Sequence, residues 1–187
     1  MNKVILGILL TAAVYVVLQK TYPLSLRPEK IQSDPVKKSF LNSITIYAAD
    51  VFKKYGISPI IFLSQASLES NWGASGLARQ GKNLFGIKVS AAWEKAGKPV
   101  WVGETEELID GKFVKIKDRF KQYASWDESI IDWAELISQK YKTAYSYAKG
   151  SDVAAYGQAI VQTGYSTHPR YASLLSGVAA DVKKMLG

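Results

Sequence analysis

The sequence predicts a mainly helical domain with one small β-hairpin, preceded by an N-terminal membrane helix. Three observations support this prediction. Apolar side chains recur at the three- and four-residue spacing of amphipathic helices in several separate segments. One stretch, between Val100 and Tyr123, changes to an extended pattern around Asp110 and Gly111. Residues 4–19 form an apolar run without a charged residue.

The apolar run predicts a membrane anchor over residues 1–20. Lys3 and Lys20 bracket the run, and as a helix it would span about 24 Å, against about 30 Å for the hydrocarbon core. Long lysine side chains that reach the interface would close this gap. A cleavable signal peptide and a buried core helix are the alternatives. We favour a retained anchor because the small-residue site at 11–13 lies in the middle of the run.

The next segment, 21–34, predicts a stalk, because Pro23 and Pro28 interrupt a polar stretch. Residues 35–187 then form the predicted soluble domain. Asp34 and Pro35 have the residue types of a helix N-cap and first helical position, and the apolar pattern continues to a stop at Gly56. Ser58 and the proline after it predict a second helix that ends near residue 70.

After a glycine-containing loop, the sequence predicts the hairpin and then three more helices. Asp110-Gly111 is a residue pair that adopts the left-handed backbone of a tight hairpin turn. Ser125 and Glu128 have the spacing of a capping box, which predicts a helix start. Residues 152–162 and 169–186 carry the last two apolar patterns. A cleft between the helical part and the hairpin is the expected ligand site.

The composition limits the possible chemistry. The chain has 187 residues, no cysteine and one histidine, so disulfides, thiolate metal sites and histidine-rich metal sites are excluded. Catalysis would have to use carboxylates, hydroxyls or tyrosines, and we expect no metal and no cofactor. The net charge is +8, and half of it lies in residues 1–38. The remainder is too dilute to indicate a nucleic-acid partner, whereas a cell wall or a membrane fits.

Glu69 is the candidate catalytic group. It falls in the last turn of the second predicted helix, where unpaired backbone carbonyls repel a carboxylate, and Trp72 can shield it from water. Both effects favour the protonated form, which can deliver a proton to a glycosidic oxygen. A lone glutamate at a frayed helix end is the alternative interpretation.

Three segments in order, 69–73 (ESNWG), 83–88 (NLFGIK) and 164–171 (GYSTHPRY), resemble motifs of bacterial and phage β-N-acetylglucosaminidases of the flagellar-muramidase and autolysin type. These enzymes form glycoside hydrolase family seventy-three. The resemblance covers about 35–187. It implies a lysozyme-like helical lobe that carries the hairpin, and an endo-acting hydrolase for the bond from N-acetylglucosamine to N-acetylmuramic acid in peptidoglycan.

The resemblance also implies site residues. Glu69 matches the family's catalytic acid, and Tyr165 matches its tyrosine near the cleaved bond. The family's proposed second carboxylate lies four residues before the hairpin glycine, which gives Glu107, with Glu106 and Glu104 as close competitors. Glu107 would activate water in an inverting mechanism, whereas assistance by the sugar's acetamido group would not need it.

The sugar-binding candidates are aromatic side chains and the residues of the second motif: Trp72, Asn83, Phe85, Tyr123 and Tyr171. Several of these must belong to the core instead. The chain departs from the family pattern at His168, where the family usually has aspartate. We therefore expect the last helix to lose a good cap at this position.

These observations predict a membrane-anchored peptidoglycan glucosaminidase that faces the cell wall. A lytic transglycosylase or muramidase on the same scaffold and a non-catalytic wall-binding virion protein are the alternatives. The basic residues after the anchor would hold the domain in the cytoplasm, where it has no substrate. An exception to the positive-inside rule would remove this conflict, and so would a membrane-containing phage particle with other virion proteins as partners.

Overall fold

The computed structural model describes residues 34–109, 112–166 and 168–187. Between residues 105 and 113 only the backbone of the two strands is described. The predicted anchor, 1–20, the predicted stalk apart from its last residue, and the turn pair Asp110-Gly111 lie outside the described residues. In the described part, none of the helices has the length and apolar content needed to cross a bilayer.

The described part contains nine helices and two strands. The first helices are α1 (Pro35–Thr45), α2 (Ala48–Tyr55), α3 (Pro59–Glu69), α4 (Gly76–Gln80) and α5 (Ala91–Lys95). They are followed by β1 (Val100–Ile109) and β2 (Lys112–Lys121). The chain then continues through α6 (Trp126–Lys140), α7 (Lys142–Ala148), α8 (Val153–Gln162) and α9 (Tyr171–Leu186). The predicted mainly helical fold with one hairpin is confirmed.

The N-terminal part of the domain starts where the sequence predicts but divides into two helices. The Asp34 carboxylate caps α1 by accepting a hydrogen bond from the Val36 backbone N–H at 2.9 Å. The prediction of one continuous helix to Gly56 is wrong, because α1 ends at Thr45 and α2 begins at Ala48. The break follows a β-branched run, in which the Thr45 hydroxyl donates to a carbonyl of its own helix.

Helix α3 is the centre of the domain. Its residues from Pro59 to Ser67 are all buried, including the polar Ser64 and Gln65. Helix α9 packs against α3 and α8, and α1 and α2 cover other parts of α3. A helix that is covered on all sides holds its C-terminal end in a fixed position, and Glu69 is the last residue of that end.

The hairpin attaches to the helical part at the open ends of its strands. Its strands pair antiparallel, from Val100 opposite Lys121 to Ile109 opposite Lys112. Backbone hydrogen bonds from Val89 to the Arg119 carbonyl and from Lys121 to the Ile87 carbonyl tie β2 to the preceding loop. Trp101 from β1 contacts the helical part by donating its ring N–H to Gln80.

Three short helices, α4, α5 and α7, are absent from the sequence prediction. Each is only five to seven residues long, so the apolar pattern that identifies a helix has little room to repeat. The predicted helix start at Ser125 is confirmed, but the predicted capping box is not formed. The Glu128 carboxylate accepts from the backbone N–H of Ala124 at 3.0 Å, one residue before the N-cap, and Ser125 contributes no side-chain cap hydrogen bond.

Candidate active site

A left-handed turn directly follows Glu69 at the end of α3. Asn71, Trp72 and Gly73 have φ values of 49°, 54° and 75°. Such a run is rare for residues with side chains, and other contacts must maintain it. The Trp72 N–H donates to the Ser67 carbonyl at 2.8 Å, and the Gly73 N–H donates to the Ser70 hydroxyl, also at 2.8 Å.

This turn lies close to α1 and α6. A Cβ atom added at Gly73 would lie 2.5 Å from a ring carbon of Phe40, so only glycine fits the position. The Phe40 ring packs edge-on against Trp126, with the ring centroids 5.6 Å apart. The aromatic packing and the hydrogen bonds together fix the direction in which the chain leaves Glu69.

The Glu69 side chain is half-buried at the end of α3. Burial raises its pKa from the ordinary 4.5 to about 7, although hydrogen bonds from Tyr171 and Gln65 act in the opposite direction. The Tyr171 hydroxyl donates to Oε1 at 2.7 Å. In the described part of the chain, Glu69 takes part in no ion pair. At neutral pH a large fraction of this group is therefore a neutral carboxylic acid.

The structure brings Tyr165 to the same site. Its ring lies against Tyr171, with centroids 6.2 Å apart, and against the edge of Tyr141 at 5.4 Å. Its hydroxyl donates to the Phe85 carbonyl at 3.2 Å. Burial, and then the charge of Glu69, raise the pKa of Tyr165 well above its usual value. The phenol therefore remains neutral and available as a hydrogen-bond partner.

Trp72 lies three residues after Glu69 and is half-buried. The ammonium group of Lys37 lies over its ring, 4.7 Å from the centroid, and also pairs with Asp181 at 2.8 Å. Trp72 contributes to a shallow groove whose walls are residues of α1, the turn and α6: Pro35, Val36, Ser39, Phe40, Ser43, Trp72, Gly73 and Trp126.

Asn83 and Phe85 do not fit the predicted sugar-binding role. Asn83 is 1% exposed, and its amide donates to the carbonyls of Ile87 and Lys121 while its oxygen accepts from two backbone N–H groups. Phe85 is 2% exposed and stacks on Trp133 with centroids 4.6 Å apart. Both side chains hold the loop that joins the hairpin to the helices, so neither offers a surface to a sugar.

Tyr123 is also held within the fold. It is 6% exposed, and its hydroxyl donates to Asp132 at 2.6 Å, beside the ammonium of Lys121 at 2.7 Å from the same oxygen. Tyr123 thus has almost no free surface on which a sugar could stack. Tyr171, 5% exposed, differs because its hydroxyl contacts Glu69 directly. Its part in sugar binding stays a prediction.

The three acidic candidates of the hairpin differ in strand position. Glu107 lies opposite Val114 in the strand register, an even number of positions from Trp101, the residue that packs on the helical part. Glu104 and Glu106 lie an odd number of positions from Trp101, and each is directly opposite a lysine. The side chain of Glu107 lies outside the described part, so its role stays a prediction.

The expected loss of a helix cap at His168 is confirmed, because the N-cap residue of α9 is Arg170 and no side chain caps this helix. The backbone N–H of Arg170 donates to Nδ1 of His168 at 3.1 Å, and the Tyr171 N–H donates to the His168 carbonyl at 3.0 Å. These two hydrogen bonds close the turn that precedes the helix. The start of α9, and with it Tyr171, is thereby held next to the site.

Sequence reasoning missed three side chains of the site. Gln65 lies one helical turn before Glu69, and this spacing was the available signal. Tyr156 of α8 donates to the Gln65 carbonyl oxygen at 2.5 Å, and Tyr141 packs against Tyr165. No pattern around these two tyrosines distinguishes them from core aromatics.

Comparisons with known proteins identify the family of this domain. Residues 46–184 match the glucosaminidase family, described as mannosyl-glycoprotein endo-beta-N-acetylglucosaminidase. Exo-glucosaminidase LytG of Bacillus subtilis (strain 168) is 33% identical over 168 residues, which are 86% of this chain and 56% of LytG. A peptidoglycan hydrolase mutant from Sphingomonas sp. A1 superposes with a TM-score of 0.68 at 28% identity, covering 80% of this chain and 98% of that one.

The catalytic domain of the autolysin Auto from Listeria monocytogenes superposes with a TM-score of 0.64 at 30% identity, covering 85% of this chain and 92% of that domain. The chain belongs to the glucosaminidase family of glycoside hydrolases, and its helical domain is lysozyme-like. The predicted family is thereby confirmed. The chain spans about half the length of the curated relatives it matches.

The hydrogen bond at His168 leads to a stability prediction. His168→Ala removes the acceptor for the Arg170 N–H in the turn before α9 and is expected to lower the free energy of unfolding by about 1 kcal/mol. His168→Asp restores an acceptor oxygen and is expected to preserve stability. Urea unfolding of both variants measures the difference. Equal stability of the alanine and aspartate variants would show that this hydrogen bond does not stabilise the turn.

Proposed function

We propose that this protein is a peptidoglycan hydrolase that cleaves the β-1,4 bond between N-acetylglucosamine and N-acetylmuramic acid. The single observation that carries the proposal is the Glu69 carboxyl, whose pKa is raised to about 7 by burial and which has no cationic partner among the described side chains. The family supports the same reaction, as do the names of LytG and of the Sphingomonas and Listeria enzymes.

In the proposed reaction Glu69 acts as the general acid. Its carboxyl transfers a proton to the glycosidic oxygen while the bond from that oxygen to the anomeric carbon breaks. The leaving sugar departs as a neutral alcohol, and Glu69 becomes a carboxylate. Water then supplies a hydroxyl to the anomeric carbon, and its remaining proton passes to a base.

The identity of that base separates two versions of the mechanism. In the inverting version, the Glu107 carboxylate accepts the proton from the attacking water. In the substrate-assisted version, the acetamido oxygen of the sugar attacks the anomeric carbon as the bond to the leaving sugar breaks, which forms an oxazolinium ion. Water then opens this ring and gives its proton to the Glu69 carboxylate, so Glu107 is not needed. We favour Glu107 over Glu104 and Glu106 because it lies an even number of strand positions from Trp101. The register also places each of the other two opposite a lysine.

Tyr165 is proposed to act at the cleaved bond. Its phenol stays neutral and lies close enough to Glu69 to respond to that charge. A neutral phenol can orient the acetamido group of the sugar or stabilise positive charge that develops at the anomeric carbon. Trp72, which keeps an exposed surface three residues from Glu69, is the remaining candidate for sugar stacking.

We also propose that residues 4–19 anchor the protein in a lipid bilayer with the domain facing the cell wall, in a cell or in a phage particle. The support is the apolar sequence between Lys3 and Lys20. Anchoring would hold the hydrolase near its substrate. The alternative is that other virion proteins carry the domain to the wall.

The reaction is tested by product analysis with the full chain in detergent. Mass spectrometry of digested peptidoglycan should show N-acetylglucosamine at the new reducing ends, and fragment lengths separate endo from exo cleavage. Anhydro-muramic ends would indicate a transglycosylase, and muramic reducing ends a muramidase. Binding to the wall without any product would mean that the protein is a non-catalytic wall binder.

Glu69→Gln should lower kcat by roughly 10² to 10⁴, because the amide cannot deliver a proton. The wild-type kcat should fall as the pH rises through about 7, since only the protonated carboxyl is the active acid. Asp152→Asn is the matched control, because this carboxylate caps α8 and is exposed. Wild-type activity in Glu69→Gln would contradict the proposal.

Glu107→Gln and Glu106→Gln form a matched pair for the second carboxylate. If Glu107 is the base, its variant should lose roughly 10² or more in kcat, whereas the Glu106 variant stays near wild type. Addition of azide should then restore turnover to Glu107→Gln with an inverted product. Two near-wild-type variants would indicate that the acetamido group assists instead.

The location is tested with single cysteines, since the chain has none of its own. A cysteine at exposed Lys142 should react with a membrane-impermeant reagent on intact spheroplasts or virions, and removal of residues 1–20 should release the protein from membranes. Protection of that cysteine until the membrane is permeabilised would place the domain on the inner side and contradict the proposed orientation.

A further inference from the structure

Three buried side chains connect Glu69 to the interior of the domain. The Tyr156 hydroxyl donates to the carbonyl oxygen of Gln65 at 2.5 Å. The Gln65 amide nitrogen donates to the hydroxyl oxygen of Tyr171 at 3.0 Å. The Tyr171 hydroxyl then donates to Oε1 of Glu69 at 2.7 Å. Tyr156 and Gln65 are 0% exposed, so the start of this chain of hydrogen bonds cannot touch the substrate.

The hydrogen bonds run in one direction, and each depends on the one before it. A glutamine amide has an accepting oxygen and a donating nitrogen. The hydrogen bond that Tyr156 donates to the oxygen therefore leaves the nitrogen facing Tyr171. A tyrosine hydroxyl has a single proton. Because its oxygen already accepts from Gln65, Tyr171 has that proton free to donate to Glu69.

We propose that this chain of hydrogen bonds is a positioning relay that decides which oxygen of the catalytic acid carries the proton. The relay consists of Tyr156, Gln65 and Tyr171. With Oε1 accepting from Tyr171, the acid proton resides on Oε2, where it is free for the substrate. If Tyr171 instead accepted a hydrogen bond from Glu69, the acid proton would lie on Oε1 and point at the tyrosine. The inference rests on the proposed role of Glu69 and deepens it.

Close packing of α8 and α9 holds the relay together. A Cβ atom added at Gly157 would lie 3.0 Å from the Cα atom of Ala172, so the two helix backbones approach closely at these neighbours of Tyr156 and Tyr171. The tyrosines thereby meet Gln65 of α3 from two adjacent helices. The titratable groups that act on one another here are Glu69 and the phenols of Tyr141, Tyr156, Tyr165 and Tyr171.

The relay predicts a specific effect of a remote substitution. Tyr156→Phe leaves the Gln65 amide free to turn, after which Tyr171 can donate to the amide oxygen instead of to Glu69. Because a donated hydrogen bond stabilises the carboxylate, its loss should raise the pKa of Glu69 by about one unit. Tyr171→Phe removes the direct donor and should raise it by a similar amount.

The measurement is a pH titration of the Glu69 carboxyl carbon by NMR in the full chain in detergent, assigned by its absence in Glu69→Gln. This readout does not depend on turnover. An inactive protein with the expected titration shifts would contradict the proposed function but retain the relay. An active protein without the shifts would overturn the relay alone. In an active protein, the alkaline limb of kcat should move with the titration.

A double variant provides the decisive test. In a Tyr171→Phe background, adding Tyr156→Phe should cause a smaller shift than it does alone, because the step through Tyr171 is already lost and only the direct hydrogen bond from Gln65 to Glu69 remains. Additive shifts, or no shift in the single Tyr156→Phe variant, would overturn the proposal. Tyr145→Phe is the matched control, since its hydroxyl donates to the backbone carbonyl of Tyr55 at 2.7 Å, outside the relay, and should leave the titration unchanged.

A loss of folding in Tyr156→Phe would not end the test. Gln65→Met keeps the length of the buried side chain but removes both ends of the amide, and it should also raise the pKa of Glu69. Thermal unfolding identifies which variants are folded at the titration temperature. If Gln65→Met is folded and titrates like the wild type, the amide does not transmit the orientation and the proposal is wrong.

Discussion

The site depends on one half-buried carboxyl group that has no cationic partner in the described part of the chain. Glu69 is the last residue of a helix that is buried along most of its length, so its position is fixed by the whole domain. The unpaired carbonyls of that helix end also disfavour a negative charge. Burial raises the pKa of this carboxyl to about 7, whereas Asp118, beside the ammonium of Lys88 at 2.7 Å, has its pKa lowered.

The elements around α3 place three neutral phenols close to Glu69. Tyr156 comes from α8, Tyr165 from the loop after α8, and Tyr171 from the first turn of α9. A phenol can donate a hydrogen bond and orient a carboxyl without the strong attraction that a lysine or arginine would exert on its charge. The imidazole of His168 holds the start of α9 and therefore contributes to this arrangement from outside the site.

Sequence reasoning recovered the features that depend on local pattern. The proline and capping signals at Asp34 and Pro59 identified two helix starts, and Glu69 was placed correctly in a last turn. It failed where distant contacts decide the outcome. Asn83 and Phe85 lie in a motif of the family, but only the fold shows that one satisfies four backbone groups and the other stacks on Trp133. The same limit explains why Tyr156, which is 91 positions away from its partner, was missed.

The protonated carboxyl also links the stability of the fold to acidity. Glu69 has a higher pKa in the folded chain, about 7, than its ordinary 4.5, so the native state holds this proton more tightly than the unfolded state does. The resulting contribution to stability is complete below about pH 4.5 and is lost as the pH rises to about 7, at about 1.4 kcal/mol for each unit of the shift. Ionisation of Glu69 at alkaline pH would thus lower both the stability of the folded domain and the supply of the catalytic proton. Protonation of the same residue at acidic pH would favour the folded state.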